Sequence, residues 1–324
     1  MTDRLPIAQP VASEFRQFEE HFAMTLHSET PLLQSAIEQI QRANGKHIRP
    51  LLLLLTAKAC GTPTKMTQDA AVIIETLHTT TLIHDDVIDE TKQRRGVPSL
   101  NAIFDNRIAV LTGDFILSGA ILNAAETGNI YLIKTIAQVC RELSEGELIQ
   151  IYNSEKRSLD EAAYFGMIQK KTATLFSACT EIGAVSVNAP PEIINKCRLF
   201  GEYLGYCFQI KDDIFDYYDD VNIGKPTGND IREGKITLPL LYALKNAPEE
   251  ERSYYYNIID RQDFTKQNID SLIYFAKQGH GIEYAEKRLF EFKQKAVELI
   301  HSFPESDARN SLLLLADFFS ERTK

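Results

Sequence analysis

The chain has 324 residues, 44% hydrophobic and 25% charged, a composition that can bury a sizeable core and excludes an intrinsically disordered protein. Its formal net charge of −10 argues against nonspecific nucleic-acid binding, so no nucleic-acid partner is expected. An anionic small molecule would need metal ions or a local basic cluster to hold it.

The first residues, MTDRLPIAQPVASEF, lack the basic start and apolar stretch of a secretory signal. Gly45-Lys46-His47-Ile48-Arg49-Pro50 then sets two long cations ahead of the apolar run Leu51–Leu55. That run, like Leu312–Leu315, is too short to cross a bilayer, so a soluble protein with no transmembrane segment is expected. From Val72 to His84 apolar residues occupy more than one helical face, which suits a helix inside a large helical bundle. This helix ends in His84-Asp85-Asp86-Val87-Ile88-Asp89, with Asp85 and Asp89 four positions apart and on one face. Three carboxylates there repel one another unless cations neutralise them. Hard oxygen ligands at this spacing suit Mg²⁺, which keeps several waters and bridges carboxylates to substrate phosphates.

Arg94-Arg95-Gly96 follows that cluster closely. Ser158-Leu-Asp-Glu161 reads as a capping box opening another helix, and Lys170-Lys171-Thr172 falls in mid-helix. Pro190-Pro191 suits a helix start. After the apolar run Tyr203–Phe208 the acidic arrangement recurs as Asp212-Asp213-Ile214-Phe215-Asp216. Tyr217–Lys235 is the one long irregular stretch and carries Gly224-Lys225-Pro226; loops of that length are usually functional or mobile. Gly279 and Gly281 separate two helices. In the second of these, Ala285, Leu289, Phe292, Ala296 and Leu299 form an apolar stripe.

Strand-like alternation with hairpin turn pairs is missing, and so is any fixed-period repeat. The expectation is an all-α chain of about ten or more helices forming a single domain over residues 1–324. The cysteines Cys60, Cys140, Cys179, Cys197 and Cys207 form no CxxC pair, which suits free thiols in a reducing cytoplasm. No GxxxxGK[ST], GxGxxG or HExxH occurs. One acidic cluster alone is most simply a solvated helix end. Two with identical spacing, each ending an apolar helix, point to a carboxylate clamp for a metal-bound diphosphate if they face each other. Arg suits bidentate contacts to such a group and Lys a point charge.

With these residues assembled, the sequence resembles the trans-prenyl diphosphate synthases. The resemblance runs over most of the chain through GKHIRP, HTTTLIHDDVIDETKQRRGVPS, GDF (Gly113–Phe115), KKTA, GYCFQIKDDIFDY and GKPTGNDIREGKITLP. It implies an isoprenoid synthase-type helical bundle around a central cavity, paired as a homodimer. It also implies that Asp85, Asp86 and Asp89, with Asp212, Asp213 and Asp216, hold Mg²⁺ against an allylic diphosphate (farnesyl or geranylgeranyl). Arg94, Lys171 and Lys225 would bind that diphosphate, with Lys235 supporting the loop. Lys46, Arg49, His78 and Arg95 would hold isopentenyl diphosphate, and Thr172 and Gln209 would line the reacting end. One departure is that Asn44-Gly45 stands where many relatives have Gly-Gly; His47 falls at a variable place.

The implied chemistry is ionisation of the allylic diphosphate, attack by the isopentenyl double bond and loss of a proton, with no side-chain base assigned. The resemblance also makes the residues before Asp85 the floor of the product cavity. Thr80 and Thr81 are small where short-chain synthases tend to carry Phe or Tyr, and Leu77 lies deeper. A long product, on the order of six to ten isoprene units, is expected. The alternatives are a short-chain synthase making farnesyl or geranylgeranyl diphosphate, or a noncatalytic regulatory partner of another synthase. A terpene cyclase fits less well, because the isopentenyl-site cations are present.

Overall fold

The computed structural model of the chain describes residues 5–43, 45–218 and 227–322. The described residues are helical almost throughout: α1 (Leu5–Ala8), α2 (Ala12–Thr25), α3 (Pro31–Arg42), α4 (Ile48–Cys60), α5 (Lys65–Ile88), α6 (Leu100–Ile103), α7 (Asn106–Glu126) and α8 (Ile130–Lys156). There follow α9 (Glu161–Ile168), α10 (Thr174–Val185), α11 (Pro191–Phe215), α12 (Asn229–Arg232), α13 (Leu238–Asn246), α14 (Glu249–Asp260), α15 (Lys266–Gln278), α16 (Gly281–His301) and α17 (Asp307–Glu321). Between α5 and α6 a small antiparallel ribbon pairs β1 (Gln93–Arg94) with β2 (Val97–Pro98). The all-α expectation holds, with this ribbon as the exception. Its turn residues Arg95 and Gly96 both have positive φ, 53° and 80°, as a tight two-residue hairpin requires.

The chain divides into two compact units. The first draws on Met1–Cys140, Ala178–Arg198 and Phe303–Leu312; the second on Arg141–Ser177, Leu199–Ser302 and Leu313–Lys324. The divisions fall inside α8, α10, α11 and α17, apart from one between α16 and α17.

In the first unit, Leu51–Leu55 are all buried. Five successive leucines point in every direction around α4, so the helix is enclosed on all sides, each leucine contributing about 1.5–3 kcal/mol of burial. Helix α5 opens with a reciprocal cap. The Thr64 amide donates to Thr67 Oγ1 at 2.9 Å and the Thr67 amide to Thr64 Oγ1 at 3.4 Å. From there α5 runs 24 residues, about 36 Å, and packs most extensively on α7. Helix α7 turns Ala109, Thr112, Gly113, Ile116, Ala120 and Ala124 inward at helical spacing. Its opposite face exposes Leu111 (67%), Phe115 and Leu122 (59%).

By length and composition α7 is apolar enough to cross a membrane, with mean hydropathy 1.7 and a third of that stretch buried in the fold. The apolar runs singled out from the sequence do not include it, because Thr112, Asp114, Ser118 and Asn123 interrupt its apolar residues.

The second unit has an aromatic core. Tyr206 stacks on Phe292 at 4.6 Å, Phe165 meets both edge-on, and the Arg288 guanidinium lies 4.6 Å over Phe165. The predicted stripe of α16 is buried, except that Ile300 rather than Leu299 is its innermost last member. The cap of α9 differs from expectation as well. Asp160, not Ser158, receives the Ala162 amide at 2.9 Å, because the helix starts one residue after Asp160.

Candidate active site

The first aspartate cluster closes α5. Asp86 is buried, 5% exposed, and takes Arg94 Nε at 2.7 Å and Arg94 Nη2 at 2.6 Å on one oxygen. Thr91 N and Asn101 Nδ2 donate to its carbonyl, both at 2.9 Å. Asp85 is half-buried, and Asp89, the C-cap of the helix, is half-buried too. The middle aspartate therefore points into the protein, and the outer two lie on the accessible face that the four-residue spacing predicts. Next to them, Gly113 allows His84 to lie against α7: a Cβ at 113 would come 2.3 Å from His84 Nε2.

The basic residues of the same unit collect near the start of α4. Arg49 Nη1 donates to His78 Nε2 at 2.9 Å. Burial and the adjacent Arg49 charge push the His78 imidazole well below its ordinary range, so it is neutral and able to accept that bond. Arg95 Nη1 reaches the Ala43 carbonyl at 3.1 Å. Gly45 is required there, since a Cβ at 45 would fall 2.6 Å from that same nitrogen. Lys46 is exposed. One pocket is lined by Gly45, Glu75, Asp86, Arg94 and Arg95. Further down α5, Thr80 and Leu77 are buried and Thr81 is half-buried. The two threonine hydroxyls are tied to the carbonyls of Thr76 and His78.

In the second unit Lys170-Lys171-Thr172 is not in a regular helix. These residues form a π turn, Gln169–Ala173, a wider turn that recurs at functional sites. Glycines hold it on two sides. A Cβ on Gly146 of α8 would lie 2.6 Å from the Lys171 amide nitrogen, and one on Gly205 of α11 would lie 2.4 Å from Ala173 Cα. Helix α8 also supplies carboxylates: Glu145 pairs with Lys170, Glu147 with Lys171, and Glu142 accepts from Thr174. Thr172 donates to Gln209 Oε1 at 2.7 Å, and Gln209 Nε2 donates to Asp213 at 2.9 Å.

The second aspartate cluster ends α11. Asp213, 3% exposed, also receives the Tyr164 hydroxyl at 2.6 Å. Burial, then Asp230, raises its carboxyl well above the usual range, only partly offset by the Tyr164 and Gln209 bonds. Asp216 accepts the Asn229 and Asp230 amides at 2.9 and 3.0 Å and so fastens the start of α12. Burial raises its carboxyl too. Asp212 is bound by Arg322 Nη2 at 2.5 Å. Asp230 is pushed up to about 7, by burial first and Asp216 second. Lys235 donates to Glu233 at 2.5 Å. Lys225 lies outside the described residues, as does Asn44.

These donors fit a hard cation. Among the described residues no three His, Cys, Asp or Glu side chains gather closely enough to cage a metal unaided. A hard ion held by one or two of these carboxylates would complete its shell with water and phosphate oxygens. Burial first raises the carboxyls of Asp213, Asp216 and Asp230, and a bound cation would favour their charged forms. Sequence reasoning missed Tyr164, Glu147, Asp230 and Arg322. The glycine in Glu145-Gly146-Glu147 is the one local signal, since a mid-helix glycine marks close packing.

Comparison with known proteins places the chain in a family. Residues 30–275 match the polyprenyl synthetase family. The chain is 36% identical to an all-trans-nonaprenyl-diphosphate synthase (geranyl-diphosphate specific) of Rhodobacter capsulatus, covering 98% of this chain and 97% of that protein. Its fold matches a polyprenyl synthase of Caulobacter crescentus solved with calcium and isoprenyl diphosphate, with TM-score 0.92, 30% identity and 98% of each chain covered. It also matches a geranylgeranyl pyrophosphate synthase of Bacteroides thetaiotaomicron, with TM-score 0.86, 39% identity, and 99% of this chain and 100% of that one covered. The chain belongs to the polyprenyl synthetase family, whose isoprenoid synthase-type helical fold it shares, and is a trans-polyprenyl diphosphate synthase, a prenyltransferase.

Proposed function

We propose that the enzyme condenses isopentenyl diphosphate with farnesyl or geranylgeranyl diphosphate, with Mg²⁺, and releases a long product of about six to ten isoprene units. The observation carrying the substrate reading is that acidic clusters end both α5 and α11, with Arg94 paired to the first and Arg322 to the second. Asp85, Asp86 and Asp89, with Asp212, Asp213 and Asp216, are the residues to hold magnesium. The bound ion would neutralise charge developing on the leaving diphosphate. Arg94, Lys171 and Lys225 bind the allylic diphosphate, and Lys46, Arg49, His78 and Arg95 the isopentenyl one. Thr172 and Gln209 orient the reacting end through their mutual hydrogen bond.

The long product is supported by Thr80, buried yet small on α5. The 36% identical relative is named for a nonaprenyl product. A geranylgeranyl-length product is the second reading, favoured by the 39% identical synthase of that name. We further propose that the two units act as one catalytic domain, since four helices run through the division. The exposed Leu111, Phe115 and Leu122 face of α7 is read as the surface of a cytoplasmic homodimer.

The test is incubation of purified protein with Mg²⁺, farnesyl diphosphate and labelled isopentenyl diphosphate, with products resolved by length. A ladder ending in a long prenyl diphosphate, abolished by EDTA and shortened by Thr80→Phe, supports the proposal. Products stopping at geranylgeranyl length select the second reading. No incorporation with any allylic primer would instead indicate a noncatalytic partner.

A further inference from the structure

His47, which no role above uses, occupies an unusual position. It precedes α4 in the left-handed region, with φ 44° and ψ 40°, a conformation uncommon for any residue but glycine, although histidine enters it more readily than most. Its ring is wedged between two phenylalanines of α2, with centroids 5.5 Å from Phe18 and 5.6 Å from Phe22, both edge-on. Its Nδ1 lies 2.8 Å from Glu75 Oε1. Glu75 is buried inside α5, and its second oxygen has no hydrogen-bond partner among the described residues.

A buried carboxylate is the wrong charge to meet a diphosphate, yet Glu75 lines the same pocket as Gly45, Arg94 and Arg95. Its chemistry suits holding cations and donors rather than substrate. Glu75 and His78 are three residues apart and share a face of α5. From that face the helix grips the opposite segment at two points: Glu75 holds His47, and His78 holds Arg49 at 2.9 Å. Lys46 and Arg49 thus flank a residue whose backbone is strained and whose ring is fixed on three sides. Strain of this kind persists only where the surroundings impose it.

We infer that His47 and Glu75 are a positioning pair, which sets the pose of Lys46 and Arg49 and so tunes affinity for isopentenyl diphosphate without touching it. This rests on the reading of Lys46, Arg49, His78 and Arg95 as the isopentenyl diphosphate site. Neither residue moves a proton or binds a phosphate oxygen. The pair acts by restricting the segment from Gly45 to Arg49 before substrate arrives, which lowers the ordering cost on binding.

Steady-state kinetics on five variants test this. His47→Gly keeps the left-handed backbone but deletes the ring and its bond. It should raise KM for isopentenyl diphosphate about tenfold, with kcat and the allylic KM within about twofold. His47→Asn tolerates the same backbone and carries an amide nitrogen near the place of Nδ1, so it should recover KM to within about threefold of wild type. Glu75→Leu should match His47→Gly, and the double variant should be no worse than either, because both remove one interaction. A wild-type KM in His47→Gly, a parallel change in both substrates, or additive effects in the double variant would overturn the pair. Arg49→Ala separates the two levels of the argument. If it leaves KM for isopentenyl diphosphate unchanged, the site assignment falls and takes the pair with it. If it raises that KM while His47→Gly does not, only the pair falls.

Discussion

At the end of α5 the middle aspartate, Asp86, is buried against the guanidinium of Arg94. At the end of α11 its counterpart, Asp213, is buried against a phenol and a carboxamide. The spacing is the same in both clusters, and in both the second carboxylate turns inward while the outer two stay more accessible. What differs is the source of neutralisation. The first cluster carries a covalently tethered cation at its centre. Among the described residues the centre of the second has only neutral donors, and burial raises its carboxyl and that of Asp216. A repeated motif thus repeats geometry without repeating electrostatics.

The largest effect should come from the accessible positions. Asp85→Ala, or chelation with EDTA, should lower kcat by about a thousandfold or more, measured by label incorporation. A loss below tenfold would mean that the first cluster is not where charge is stabilised. Next, Gly146→Ala should cost about 1–3 kcal/mol in a denaturant titration, because a methyl against the Lys171 backbone forces the π turn to move. Calcium or magnesium should not restore that loss.

The comparison itself is broken or sharpened by removing each central charge. Asp86→Asn leaves Arg94, whose side chain is 30% exposed, without its partner. It should cost about 1–2 kcal/mol, less than a fully buried pair would. Asp213→Asn removes a desolvated charge while keeping an acceptor. In EDTA it should be neutral or stabilising by up to about 1 kcal/mol. Equal losses from the two would show that the second cluster is neutralised as well as the first. The smallest effect is expected of Tyr164→Phe, about 1 kcal/mol by the same titration, since it deletes one hydrogen bond to Asp213.

The aspartate clusters were legible in the sequence because carboxylates four apart at the end of an apolar run have a local geometric meaning. Which carboxylate of each three would be buried was not, since that depends on Arg94 returning through a hairpin and on Tyr164 from another helix. The hairpin escaped notice because Arg-Gly is a poor turn signal beside Asn-Gly or Asp-Gly. Gln169–Ala173 looks like any helical stretch; its π turn goes with glycines on α8 and α11, far away in sequence. Asp160 and Ser158 offer similar oxygens two residues apart, and only the start of α9 decides between them. Arg322 reaches Asp212 across 110 residues, a pairing no local pattern encodes.

The π turn has an evolutionary consequence. It amounts to one residue in excess of a regular helix, and each residue of helix is worth about 100° of rotation. Deleting a single codon between Gln169 and Ala173 would heal the helix and swing Lys171 off the carboxylate of Glu147 that now holds it. Lys171 therefore sits on a hinge of descent. A lineage can lose it in one mutational step while every residue type needed to recognise the motif remains in the sequence.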